Sequence, residues 1–277
     1  RGVAEPEAVR ATWTITFGYG KPGLYLLPGA DYAGRVEVVP IGLPPDVLEG
    51  QGEVVELLES RVVAQMLPPR PAESHKGTYG HLLVVAGSRN MAGAAVLAAR
   101  GGLRGGAGLV TLAVPASLQR QVAAALPEAL TYGLPETEAG TLGVEAAEVV
   151  AQLLATRQAL AIGPGLGTAP ETAQFFQALL ERPEVQHCPA VLDADALNLL
   201  AQAPERVEAL ARRPGGLPWV LTPHPGEMAR LLGRSTADVQ ADRPGAVREA
   251  AARFGGVVVL KGARSLVAHP SGRWAIN

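Results

Sequence analysis

Five short segments hold the residue types that can do chemistry, and each follows an apolar run. Thr222-Pro223-His224-Pro225-Gly226-Glu227-Met228 pins a histidine between two prolines, with a glutamate three residues on. A histidine fixed this way can hydrogen-bond a polar ligand, and the glutamate can reach a metal-bound water. The alternative is a histidine on a surface loop. Asp193-Ala194-Asp195-Ala196-Leu197-Asn198 places two carboxylates at i and i+2, a spacing that holds Mg2+ or orients a hydroxyl. Asp195 suits the N-cap of the following helix at least as well, which leaves Asp193 as the better site candidate. Lys261-Gly262-Ala263-Arg264-Ser265 carries one of only three lysines among 24 lysines and arginines. A lysine beside glycine suits phosphate contact as a compact charge, with Ser265 and the Gly262 amide as further donors.

The two remaining segments are glycine loops. Gly163-Pro164-Gly165-Leu166-Gly167 has glycines at alternate positions, which removes side chains where a ligand must touch backbone. A flexible connection is the alternative, and the proline argues against it. Ala86-Gly87-Ser88 precedes Asn90-Met91-Ala92-Gly93-Ala94-Ala95, which opens a helix whose first turn favours an anion. That spacing matches neither a dinucleotide fingerprint nor a Walker A loop, and a tight strand-to-helix turn explains it equally. Zinc is disfavoured, because Cys188 stands alone and no His/Cys pair has ligand spacing.

The elements that must position these residues follow one rhythm from residue 80 onward. Apolar runs at 82–85 (LLVV), 109–114 (LVTLAV), 159–162 (ALAI), 190–192 (AVL), 219–221 (WVL) and 257–260 (VVVL) alternate with segments of helical length. Strands that read as unbroken apolar runs are buried on both faces, so an α/β fold with a parallel sheet between helices is expected. Ligands of such sheets bind outside the carboxyl ends of the strands, where all five segments lie. Upstream, 12–17 (TWTITF) and 36–41 (VEVVPI) read as short strands. Val47, Leu48, Val54, Val55, Leu58, Val62 and Met66 predict a helix over 47–67, and a Pro-rich linker follows. The first 45 residues are too few to bury a core alone.

Composition bounds the function. With 277 residues, 48% hydrophobic, there is one large domain or one domain plus a fragment of another. A net charge of −2 argues against nucleic acid as the main partner. The longest apolar runs are strand-sized, far short of the roughly 20 residues that span a bilayer, so no membrane partner is expected. One cysteine and no signal-like leader point to a cytoplasmic protein. The start on Arg1 and the end on the strand-like SGRWAIN predict that both ends are cuts in a longer protein.

Six strings, in order, resemble one family: the nucleotide-dependent NAD(P)H-hydrate dehydratases of the ribokinase-like superfamily. They are HKGTYGHLLVVAGS, GAAVLAARGGLRGGAGLV, IGPGLG, VLDADALN, LTPHPGEMARLL and VVVLKGARSLVA, spanning about residues 75–268. Residues 1–45 resemble the end of an NAD(P)H-hydrate epimerase domain. The resemblance implies an epimerase tail over 1–45, a helix and linker over 46–74, and the dehydratase domain over 75–277. It implies repair of NADH and NADPH hydrates: ADP or ATP phosphorylates the ring hydroxyl, and phosphate then leaves. Phosphorylation is needed because hydroxide is a poor leaving group.

Carried over residue by residue, Gly165, His224 and Ala94 correspond to hydrate contacts. Lys261, Gly262, Ala263, Arg264 and Ser265 correspond to the nucleotide-phosphate segment. Glu227 corresponds to a carboxylate that holds Mg2+ through water, and Asp193 is added as a second candidate. A homo-oligomer is also expected, and K+ for the epimerase domain, whose ligands are not in these 277 residues. The family's Gly-Thr-Gly-Asp motif, with its catalytic-base aspartate, would follow Asn277, so no residue is assigned as catalytic. A sugar or pyrimidine kinase of the same superfamily should carry asparagine in place of His224 and would lack VLDADALN as a unit. A non-catalytic nucleotide-binding protein is the alternative from another class.

Overall fold

The computed structural model describes residues 7–44, 47, 54–203 and 219–277. All six apolar runs form strands of one ten-stranded sheet. In chain order its members are β3 (Val55–Leu57), β4 (His81–Val85), β5 (Leu109–Pro115), β6 (Leu130–Leu134), β7 (Ala159–Ile162), β8 (Ala190–Leu192), β9 (Trp219–Leu221), β10 (Val257–Leu260), β11 (Leu266–Ala268) and β12 (Trp274–Ile276). Across the sheet the order is β3-β12-β11-β10-β9-β8-β7-β4-β5-β6. The seven strands from β10 to β6 are parallel, β11 runs antiparallel to β10 and β12, and β3 lies parallel to β12.

Buried side chains of β4 alternate between two cores, as the two-residue period of a strand requires. Leu83 and Val85 share one core with Val150 and Leu154 of α5 (Ala146–Leu154), with Phe175, Phe176 and Leu179 of α6 (Pro170–Leu180) and with Val185 of the short α7 (Pro183–Gln186). Val84 joins the opposite core with Ala95 and Ala99 of α3 (Ala92–Gly105) and Val122 of α4 (Gln119–Ala125). Helices therefore cover both faces, and each such Leu or Phe contributes about 1.5–3 kcal/mol by burial. This rigid slab fixes where the loops at its carboxyl edge emerge.

The expected helix over 47–67 is corrected. Residues 55–57 form β3, a parallel partner of β12, and a helix begins only at α2 (Ser60–Met66). The physical reason is local. Val55 and Leu57 pack against the core while Glu56 between them is exposed, a two-residue alternation that the open edge of β12 completes. Segment 46–74 thus gives a strand to the sheet expected of 75–277. Positions 48–53 of that helix lie outside the described residues.

Upstream, β1 (Trp13–Phe17) and β2 (Arg35–Val39) pair, among the described residues, only with each other, in parallel, around the short helix α1 (Ala30–Ala33). Trp13, Ile15 and Phe17 alternate along one face of β1 and stand 55%, 56% and 61% exposed. Among the described residues no helix is long and apolar enough to cross a membrane.

Candidate functional site

His224 is where the chain turns from β9 into a helix, α9 (Pro225–Leu232). Its ring Nδ1 accepts from the backbone N–H of Gly226 (3.0 Å) and of Glu227 (3.3 Å), while the Glu227 carboxylate accepts from the His224 N–H (2.8 Å). The pair forms a reciprocal cap that satisfies donors the first helical turn would leave unpaired, and Pro225 fits the first helical position because it lacks an N–H. With Nδ1 accepting, the neutral ring carries its proton on Nε2. Nε2 stands 3.4 Å from Glu227 Oε1 on a side chain 51% exposed, so it can donate to an incoming group.

Lys261 enters from the neighbouring strand end. Its N–H donates to the Pro223 carbonyl (2.8 Å), joining the ends of β9 and β10, and its Nζ donates to Asp193 Oδ1 at 2.6 Å. The same ammonium lies 3.9 Å from Glu227 Oε2. Glu227 is 5% exposed, a buried carboxylate whose Oε2 both accepts from the His224 amide and faces Lys261.

The glycine loop after β7 closes on the same edge. A Cβ on Gly163 (φ +128) would lie 1.8 Å from the Asp193 carbonyl oxygen, and one on Gly165 (φ +70) would lie 3.0 Å from the Ala94 Cβ. The loop therefore needs glycine at both positions, and Gly165 comes directly against the start of α3. Asp195 is corrected as an N-cap. Ala194 (φ +51) takes that position at the head of α8 (Asp195–Ala201). The Asp195 carboxylate instead accepts from the Gly167 N–H (2.9 Å) and the Asn198 amide (3.2 Å), and Arg230 Nε donates to Asn198 Oδ1 (2.9 Å). Thr168, Asp195, Asn198 and Arg230 line an open polar cleft of about 560 Å³.

On the other side, the loop 261–265 meets two further helices, α10 (Thr236–Ala241) and α11 (Arg243–Phe254). A cleft of about 540 Å³ runs between these helices and residues 26–28, with Pro225, Gly262 and Ala263 in its wall. The half-buried Arg243 guanidinium reaches the carbonyls of Leu260, Lys261 and Arg264, and burial lowers its pKa from the usual value. Arg264 itself has φ +57.

The structure thus brings Asp193, His224, Glu227 and Lys261 into one cluster at the carboxyl edge, with Gly165 and Ala94 against each other at the adjoining loop. Gly262, Ala263, Arg264 and Ser265 follow Lys261 along the loop 261–265. Sequence reasoning misses Asn198, Arg230 and Arg243. Asn198 and Arg230 are helical and could be found only by placing α8 beside α9, whereas Arg243 opens a helix directly after the Asp242 cap, a visible start signal. Two carboxylates, Asp193 and Glu227, face the cluster, and among the described residues no three His, Cys, Asp or Glu groups gather as a metal cage. Mg2+ bound by one or two carboxylates, water and phosphate oxygens needs no such cage, so this donor set fits it.

A family profile described as NAD(P)H-hydrate dehydratase matches residues 82–277. The bifunctional NAD(P)H-hydrate repair enzyme Nnr of Moorella thermoacetica is 45% identical over 269 residues, covering 97% of this chain and 49% of that protein. The Escherichia coli protein of the same name is 35% identical over 270 residues, covering 97% and 48%. The chain spans about half the length of the curated relatives it matches. Among solved structures, the ADP/ATP-dependent NAD(P)H-hydrate dehydratase from Bacillus subtilis, co-crystallized with ATP/Mg2+, is 34% identical with a TM-score of 0.64, covering 80% of this chain and 72% of that one. A ribokinase-like superfamily protein from Enterococcus faecalis has a TM-score of 0.65 at 22% identity, which bears on the fold alone.

Proposed function

Because the chain belongs to the NAD(P)H-hydrate dehydratase family, we propose that it restores hydrated NADH and NADPH at the expense of ADP or ATP. The observation that carries this reading is the buried Glu227, whose Oε1 faces the His224 ring and whose Oε2 faces Lys261 while accepting from the His224 amide. That carboxylate joins the segment assigned to the hydrate to the segment assigned to the nucleotide. Transfer of a terminal phosphoryl group to the ring hydroxyl breaks the P–O bond to the leaving AMP or ADP, forms an O–P bond and releases the hydroxyl proton. Departure of phosphate then breaks the C–O bond, and loss of a proton from the adjacent ring carbon completes the double bond of the dihydronicotinamide.

In this reading Gly165 and Ala94 offer a wall of small residues to the hydrate, and the His224 Nε2–H donates to it. The polar cleft beside Thr168 and Arg230 lies on that side. Lys261 supplies positive charge to the transferring phosphate, with Gly262, Ala263, Arg264 and Ser265 along the phosphates and the nucleotide in the cleft beyond them. Glu227 and Asp193 would hold Mg2+ through water, and the ion would supply neutralising charge to the phosphate oxygens. A water-excluding slab behind the cluster strengthens each of these interactions.

The exposed apolar face of β1 fits a strand whose sheet continues elsewhere, because a two-stranded parallel pair is not stable alone. We assign residues 1–45 to the end of an epimerase domain, 46–74 to a connection that lends β3 to the dehydratase sheet, and 75–277 to the dehydratase domain. Epimerisation and its K+ would belong to the upstream part of a longer protein. The free, buried Cys188 suits a cytoplasmic setting. The test is turnover: the full-length protein, given NADH hydrate, Mg2+ and ADP or ATP, restores dihydronicotinamide absorbance and releases one phosphate per turnover. Absence of turnover with either nucleotide refutes the reading.

A further inference from the structure

We propose that Arg243 is a positioning residue that sets the loop 261–265 as an anion-binding arc; the inference rests on the nucleotide reading of that loop. Arg243 Nη1 donates to the Lys261 carbonyl at 3.5 Å, and Nη2 donates to the carbonyls of Leu260 (3.4 Å) and Arg264 (3.3 Å). Gln240 Oε1 also accepts from Nη1, at 3.2 Å. One planar guanidinium therefore gathers carbonyls from both ends of the loop, which a point charge such as lysine does not reproduce.

The consequence follows from peptide geometry. A trans peptide is planar and holds its C=O and N–H in opposite directions. The Leu260, Lys261 and Arg264 carbonyls turn toward Arg243, so the N–H groups of Lys261, Gly262 and Ser265 turn away from it. The first already shows this, since the Lys261 N–H reaches the Pro223 carbonyl at 2.8 Å, on the side of the His224 turn. The Gly262 and Ser265 N–H groups lie on the side of their peptides away from the guanidinium, where they can donate to an anion. Gly262 completes the arrangement: at φ +138, a Cβ there would stand 3.0 Å from Arg243 Nη1. The guanidinium and a side chain at 262 compete for one space.

The test uses the full-length protein. Arg243→Gln should weaken ADP binding about 10- to 100-fold by calorimetry, because the loop loses its charged anchor. The apparent KM for ADP should rise by a similar factor, while the KM for NADH hydrate stays within about twofold. Arg243→Lys should recover only part of the loss, and ethylguanidine added to Arg243→Ala should recover more than an equal concentration of ethylamine. Unchanged ADP affinity in a folded Arg243→Gln protein overturns the proposal, as does equal rescue by the two amines. If Arg243→Gln does not fold, the Lys variant and the rescue pair decide. Failure of the unsubstituted protein to bind ADP or ATP would instead refute the nucleotide reading itself.

Discussion

Replacing His224 tests two roles that the structure superimposes on one ring. Nδ1 caps α9 by accepting from Gly226 and Glu227, while the half-exposed Nε2, 3.4 Å from Glu227 Oε1, is the donor proposed for the hydrate. His224→Ala removes both. Loss of an N-cap costs about 0.5–2 kcal/mol of stability, so the urea midpoint should fall measurably without loss of the fold. His224→Asn separates the roles, because asparagine is among the best N-caps and its carbonyl oxygen can accept from the same two amides. The asparagine variant should therefore regain most of the stability. It should not regain turnover, since its short side chain cannot place a donor where Nε2–H stands. One hydrogen bond, or one left-over buried partner, is worth about 1–3 kcal/mol, which corresponds to a fall in kcat/KM for the hydrate of roughly 5- to 150-fold. The assays are urea unfolding, calorimetric titration with ADP and hydrate turnover. If His224→Asn restores stability and turnover together, the ring is a cap and nothing more. If it abolishes ADP binding and spares the hydrate, the two sides of the cluster are interchanged.

Other substitutions follow from the same geometry. Gly163→Ala should cost more than about 3 kcal/mol in urea unfolding, because its Cβ falls on the Asp193 carbonyl, whereas Gly167→Ala, with its nearest neighbour 3.8 Å away, should cost only the roughly 1–2 kcal/mol of a left-handed alanine. Equal losses at the two sites would show that the loop can move aside. Lys261→Met should weaken ADP binding about 10- to 100-fold by calorimetry while changing stability by less than about 1 kcal/mol, since the Lys261 and Asp193 side chains are 40% and 33% exposed. A larger stability loss with intact ADP affinity would make the lysine structural. Burial, and then Arg157, hold the pKa of His81 below 6.5, and its Nε2 pairs with Thr111 Oγ1 at 2.7 Å. The unfolded chain therefore takes up the proton first: stability from this group is complete above pH 6.5 and declines as pH falls from 6.5 through the folded value. Unfolding midpoints from pH 8 to 5 should fall less steeply for His81→Gln, and an unchanged slope would refute the assignment.

The sheet was legible because a doubly covered parallel strand must be apolar at every position, as in LLVV and VVVL. The edge was not. Val55 and Leu57 read equally as one side of a helix, and only the presence of β12 more than 200 residues downstream decides for a strand. Likewise Leu130–Leu134 alternates weakly and ends a sheet whose neighbours it cannot announce. The site was legible where one stretch of chain makes its own geometry: the prolines and glutamate around His224 write the cap into seven residues. It was illegible where two stretches meet. Asp195 carries every mark of an N-cap, yet the backbone turns at Ala194 and releases the carboxylate to the Gly167 amide, 28 residues away.

That exchange explains how the two sides of the cluster stay in register. The Gly163–Gly167 loop is tied through Asp195 and Asn198 to Arg230 on α9, the helix that His224 and Glu227 begin. Lys261 reaches the same turn from β10 through the Pro223 carbonyl and Asp193. A displacement of the α9 N-terminus would therefore move the donor at His224, the carboxylate at Glu227 and the support of the glycine loop together. Such coupling is carried by packed, hydrogen-bonded elements and is measurable as non-additivity between contacting residues. Asn198→Ala leaves the residues assigned to hydrate and nucleotide in place, but it removes one side chain from the polar cleft and cuts the tie between the loop and α9. Combined with His224→Asn, it should depart from additivity in hydrate kcat/KM by roughly 0.5 kcal/mol or more, while its combination with Arg243→Gln in ADP affinity should be additive within about 0.5 kcal/mol. Additivity in both pairs would mean that the glycine loop and the histidine turn are held independently, each by its own backbone.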